Sequence, residues 1–114
     1  MKAGDVVLVR FPFTEVATTK KRPALLLAEA TRARRYRLAT VAMITSQVEG
    51  IRLPGDVVLS AWERAGLLHP SLLRLAKIAT VDASLIERSI GRLTAEDVRA
   101  TRTAFQKHFA AGLA

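Results

Sequence analysis

The 114-residue sequence contains no cysteine, which excludes disulfides and thiolate metal sites and gives no sign of an oxidising compartment. Aromatic residues are scarce at 5% of the chain, although half of all residues are apolar. The core must therefore be built from Leu, Val, Ile and Ala. No apolar run approaches the roughly 20 residues of a membrane span. The opening Met1-Lys2-Ala3-Gly4-Asp5, with an acid ahead of a strand pattern, does not read as a signal peptide. A cytoplasmic protein with no membrane partner is expected. There is no Walker loop, no GxGxxG and no histidine-rich cluster. The ten acids are scattered without metal-ligand spacing, which disfavours a divalent-metal nuclease and predicts no cofactor.

What is abundant is positive charge. Eighteen basic residues against ten acidic ones leave a net charge of +8. A field of that sign on so small a chain attracts polyanions. Nucleic acid is the first candidate partner and an acidic protein the second.

The length suits one domain spanning residues 1–114. Asp5 to Phe11 reads as a first strand stopped by Pro12. Residues 12–22 read as a loop ending in Lys20-Lys21-Arg22. Pro23 to Ala28 and Leu38 to Ile44 are further strands around a basic turn, Arg32 to Arg37. Thr45-Ser46-Gln47 closes the third strand, and Gly50 and Pro54-Gly55 punctuate the next connection. Asp56 to Leu59 is a short strand. Ser60 and Glu63 form a capping-box pattern for one helical turn ending at Gly66. Leu72 to Val81 is a strand region with a break near Arg74 to Lys77. Asp82 caps a short helix through Arg88, and Gly91 ends that segment. Thr94 and Asp97 open the last helix, on which Val98, Thr101, Phe105, His108 and Phe109 mark one core-facing stripe. Short strands with Pro and Gly turns predict a mainly β fold. It is a small curled antiparallel sheet or SH3-like barrel with a C-terminal helix.

RNA carries its own nucleophile. Its 2′-hydroxyl attacks the neighbouring phosphate once that phosphate is positioned, its growing charge neutralised, and protons moved. An arginine suits the first two tasks because its planar fork holds two phosphate oxygens. A loop of cations and hydroxyls permits this chemistry without specifying it, and Lys20-Lys21-Arg22 also reads as an ordinary solvated loop. A two-histidine ribonuclease stays open, although His108 on the predicted core face reads as structural and His69, in a loop before Pro70, as ordinary surface. Phe11 reads as core and Phe13 as a loop anchor, with base stacking as the alternative for both. Trp62 either covers the core edge or meets a partner.

The segment Gly4-Asp5-Val6-Val7-Leu8-Val9-Arg10-Phe11-Pro12-Phe13-Thr14, followed by Lys20-Lys21-Arg22-Pro23-Ala24-Leu25-Leu26-Leu27, resembles the opening of MazF/PemK toxins. Ile44-Thr45-Ser46, Gly66-Leu67, Ala79-Thr80-Val81-Asp82 and Ile90-Gly91-Arg92-Leu93 resemble later family elements in the same order. The resemblance implies the toxin of a type II toxin–antitoxin system in the CcdB/PemK-type fold. Such a toxin would be a homodimer bound by a cognate antitoxin, whose acidic tail occupies the cationic groove. The implied activity is metal-independent, sequence-specific cleavage of single-stranded RNA, mRNA above all. It would leave 2′,3′-cyclic phosphate and 5′-hydroxyl ends. Carried over by motif, Arg22 is the phosphate clamp and proton donor, and Thr45 positions the scissile phosphate. Lys20, Lys21, Ser46, Gln47 and Arg74 would bind RNA. The sequence departs from the pattern at two places. Glu15 is the lone acid of the first loop, and Ala76 stands where some members carry Asp in an Arg-x-Asp pair beginning here at Arg74. Two other readings stay open: a non-catalytic binder of antitoxin or RNA on this fold, and a gyrase poison on the same fold.

Overall fold

The computed structural model describes residues 1–11, 20–33 and 36–113. Six strands form one antiparallel sheet: β1 (Asp5–Phe11), β2 (Lys20–Ala33), β3 (Tyr36–Thr45), β4 (Asp56–Val58), β5 (Leu72–Asp82) and β6 (Ile86–Arg92). Their spatial order is β4-β5-β3-β2-β1-β6, so the sheet curls without closing. Helix α1 (Ala95–Phe105) follows, and a π turn and a short 3-10 turn end the described chain. Among the described residues no helix is long and apolar enough to cross a membrane.

The chain enters the sheet through a tight turn. Gly4 has φ +95°, a left-handed conformation that side chains disfavour. Asp5 Oδ2 accepts from the Lys2 amide at 2.9 Å, and the Gly4 amide donates to the Leu26 carbonyl while Gly4 O accepts from Leu93 N. The Gly-Asp start thus ties β2 and the end of β6 to β1.

Bulges make the curl, since each extra residue bends its strand and increases local twist. Register shifts fall between Val6 and Val7 and between Leu8 and Val9 against β6. Others lie between Leu26 and Thr31 against β3. The expected break near Arg74 to Lys77 is a shift of this kind: Ala42 pairs with Ile78 but Met43 pairs with Arg74, and β5 itself runs on. Apolar side chains fill both faces. Val6, Leu25, Ile44, Leu73 and Leu75 form one cluster, covered by Trp62, Val98 and Phe109. Val7, Val9, Ala24, Leu26 and Val41 form the other. Burying each such Val, Leu or Ile side chain contributes about 1.5–3 kcal/mol.

Several expectations need correction. Strand β2 begins at Lys20 and runs to Ala33, so the basic residues read as loop and turn lie mostly in strands. Arg32 pairs with Arg37 and Ala33 with Tyr36, whereas Arg34 and Arg35 lie outside the described residues, as do Pro12 to Thr19 and the side chain of Phe11. The segment 86–88 is not helix: Asp82 caps only a three-residue 3-10 turn (Ala83–Leu85), accepting from Ser84 N, and β6 follows. The Ser60–Glu63 pattern gives hydrogen-bonded turns rather than a helix. Trp62 covers the core edge. On α1, Thr94 does cap Asp97 N at 3.3 Å. Thr101 is buried, but Phe105 and His108 are exposed. The ring of His108 rests edge-on against Phe109, with centroids 4.6 Å apart. The buried residue the helical stripe missed is Asp97, whose carboxylate accepts from Ser60 N, Ser60 Oγ and Ala61 N at 2.9–3.1 Å.

Candidate functional site

Alternation along the strands decides which side chains share a face. Lys20 and Arg22 point to one side of β2 and Lys21 to the other. Arg22 stands opposite Val9 of β1, and Ala24 stands opposite Met43 of β3. Continuing that register by two residues sets Arg22 beside Thr45. Met43 in turn faces Arg74 of β5, and Arg74 faces Asp56 of β4. Arg22, Thr45 and Arg74 therefore lie on one face, at the open end of the core that contains Val7, Val9 and Ala24.

These residues line a cleft of about 820 Å³, which also takes in Lys20, Lys21, Ser46, Gln47, His69, Ser71 and Lys77. Every residue carried over by motif is on its wall. Five of the lining residues are Lys or Arg, and no carboxylate lines it among the described residues. Also among the described residues, no three acidic or histidine side chains gather into a metal-ligating group.

The cations are held differently. Arg22 is half-buried, and its Nε is shielded from solvent without a hydrogen-bond partner. A buried donor left unpaired costs about 1–3 kcal/mol, which an anionic oxygen arriving at the cleft would relieve. Arg74 is anchored: Nη2 donates to the Ile51 carbonyl at 2.9 Å and lies 3.8 Å from Asp56 Oδ2, while its Nε is unpartnered like that of Arg22. Asp56, which also accepts from Leu53 N, is the acid beside Arg74. It sits across the strand pair rather than two residues along at Ala76. Lys21 turns to the other side, where Glu87 Oε1 holds its ammonium at 3.1 Å. Lys20 and Lys77 are exposed.

Thr45 ends β3, and its Oγ1 accepts from Gln47 N at 3.2 Å. That bond fixes the bend through Ser46 and uses an acceptor position only, so the hydroxyl proton stays available for a ligand. His69 and Ser71 belong to the segment between Gly66 and β5. Ser71 is buried and its Oγ donates to the His69 carbonyl at 2.7 Å, whereas His69 is exposed and lines the cleft. Sequence reasoning placed His69 on ordinary surface and did not single out Ser71 or Lys77. Only Gly66 and Pro70, which mark the segment as a connection, hinted at its course.

The model of the PemK-like, MazF-like toxins of type II toxin–antitoxin systems matches residues 2–109. The chain belongs to the PemK/MazF toxin family. Among solved structures, this PemK/MazF toxin is similar to the Mycobacterium tuberculosis toxin MazF-mt6. Identity is 28% with a TM-score of 0.68, covering 93% of this chain and 96% of that one. Its fold is also that of an endoribonuclease in complex with its cognate antitoxin from a mycobacterial species (17% identity, TM-score 0.71, 100% and 97% covered). MazF from Deinococcus radiodurans shares it too (18% identity, TM-score 0.65, 94% of both chains). No functionally curated protein sequence matches the chain significantly.

Proposed function

We propose that this PemK/MazF toxin is a metal-independent endoribonuclease that cuts single-stranded RNA, chiefly cytoplasmic mRNA, at a short recognition sequence. The observation that carries the reading is the unpartnered, buried Nε of Arg22 on the same sheet face as Thr45, in a cleft whose described walls bear cations and hydroxyls and no carboxylate. Arg22 takes two oxygens of the scissile phosphate in its fork and neutralises the charge that grows as the 2′-oxygen attacks. Its guanidinium gives the departing 5′-oxygen a proton, replaced from solvent. The Thr45 hydroxyl donates to a phosphate oxygen and holds the group in line for attack. Lys20, Lys77, Ser46 and Gln47 carry the flanking backbone, and Arg74, fixed by Ile51 and Asp56, supplies a rigid positive wall. The products are a 2′,3′-cyclic phosphate and a 5′-hydroxyl.

The same charge accounts for inhibition. An acidic segment of the cognate antitoxin fills the cleft in place of RNA, and the toxin works as a homodimer. A structural relative solved in complex with its cognate antitoxin supports an antitoxin partner.

The test is incubation of the purified protein with a long, weakly structured RNA in EDTA, beside Arg22→Ala, with the new ends then mapped. Cyclic-phosphate ends at a recurring sequence, made by the wild type and reduced about 100-fold or more in the variant, are expected. No cleavage by a folded wild-type protein would replace the reading with that of a non-catalytic binder.

A further inference from the structure

We propose that His69 is the proton acceptor for the attacking 2′-hydroxyl, an inference that rests on the ribonuclease reading above. Cleavage forms the bond from the 2′-oxygen to phosphorus and breaks the bond from phosphorus to the 5′-oxygen. The 2′-proton must go to a base, while the departing 5′-oxygen takes its proton from Arg22.

The described cleft wall offers few bases. Its basic residues are Lys20, Lys21 and Arg22 on β2 and Arg74 and Lys77 on β5; ammonium and guanidinium groups only donate. The two carboxylates tied to these cations, Glu87 on Lys21 and Asp56 on Arg74, are not on the wall. The hydroxyls of Thr45 and Ser46 need a base of their own, and the Gln47 amide is not basic. The imidazole of His69 is the described wall group with a ring-nitrogen lone pair that can accept a proton.

The fold also holds His69 in place. Gly66, at φ +86°, turns the chain out of the 61–66 segment, whose backbone is packed against β6. On the other side Ser71 is fixed by accepting from Leu59 N at 3.1 Å through its carbonyl and by its own bond to the His69 carbonyl. Both ends of this short connection are pinned, and His69, exposed between them, lines the same cleft as Arg22 and Thr45.

The experiment compares single-turnover cleavage by wild type, His69→Ala, His69→Gln and Glu15→Gln across pH 5 to 9, with binding measured on a 2′-O-methylated copy of the RNA that cannot react. His69 is exposed, so its variants are expected to fold. His69→Ala and His69→Gln should bind the uncleavable RNA within a few-fold of wild type and cleave about 100-fold or more slowly. They should also lose the rise in rate between acid and neutral pH. Added imidazole should restore part of the activity of His69→Ala and none of that of Arg22→Ala. An active wild type with His69→Ala cleaving within a few-fold of it would overturn the role of His69 alone. Loss in Glu15→Gln instead would place the base on the first loop. A wild type that cleaves no RNA would overturn this inference together with the ribonuclease reading.

Discussion

Gly66 and Gly91 pack backbone against backbone. A Cβ on Gly66 would fall on the Ile90 carbonyl, and one on Gly91 would fall on the carbonyl of Ala65. The contact sets the turn at residues 61–66 against β6, and so sets the origin of the connection that bears His69. Gly91→Ala must push the two backbones apart. Overpacking of this kind costs about 1–3 kcal/mol or more, and Gly66→Ala adds the strain of its positive φ. Denaturant titration should show a lowered midpoint for both variants, with Gly66→Ala the worse; an unchanged midpoint for Gly91→Ala would mean that the contact is not tight.

Asp97 bridges α1 and the turn at Ser60. Removing its buried carboxylate leaves the partly buried amides of Ser60 and Ala61 without their partner and deletes the bond from Ser60 Oγ. Asp97→Ala should destabilise the fold by about 3 kcal/mol. Ser60→Ala, which loses one bond, should cost about 1 kcal/mol. Thermal melts of the two variants check the order, and equal losses would show that the amide bonds contribute little.

Asp5 titrates below the ordinary carboxylate range because the Lys2 amide donates to it, against a smaller desolvation penalty, and because Arg92 donates to it and lies close by. The Arg92 Nη1 to Asp5 Oδ1 distance is 2.6 Å. A depressed folded value means that the carboxylate contributes stability above its unfolded pKa of about 3.9. That stability is lost as pH falls through the lower folded value. Arg92 is half-exposed, so the ion pair is screened and contributes about 0.5–1 kcal/mol. Wild type should exceed Asp5→Asn in stability at pH 7, and the gap should close below pH ~4. A gap that persists unchanged in acid would assign the effect to something other than the charge.

Lys20 and Lys77 are exposed on the cleft wall. If they contact RNA phosphates, each neutralisation releases counterions, and log-log salt plots for single strands should flatten by about 0.7 per lysine removed. Lys20→Ala and Lys77→Ala should weaken RNA binding at low salt and leave the cleavage sequence unchanged. A slope identical to that of wild type would place these lysines off the RNA path.

The local rules worked where the chain decides locally. The first strand and the Thr94 cap follow from neighbours within a few residues. They failed where distant residues decide. Ser60 and Glu63 spell a capping box, yet Asp97 from α1 takes the Ser60 amide that the Glu63 side chain would have capped. Residues 86–88 continue a helix signal from Asp82, but β1 claims them as an edge strand whose charged residues read poorly as β. His69 carries no local mark at all. Its place on the cleft depends on Gly66 meeting β6 and on Ser71 being buried. The acid that faces Arg74 was sought along one strand and lies on the next.

The cleft draws Arg22 from β2, Thr45 from β3 and Arg74 from β5, and its His69 connection leans on β6, close to the end of the described chain. A growing chain on the ribosome that has not yet released β6 leaves Val7 and Val9 bare on one side and the Gly66 turn without its backstop. The cleft is therefore assembled late: its walls take their final positions only once β6 has joined β1 and closed on Gly66.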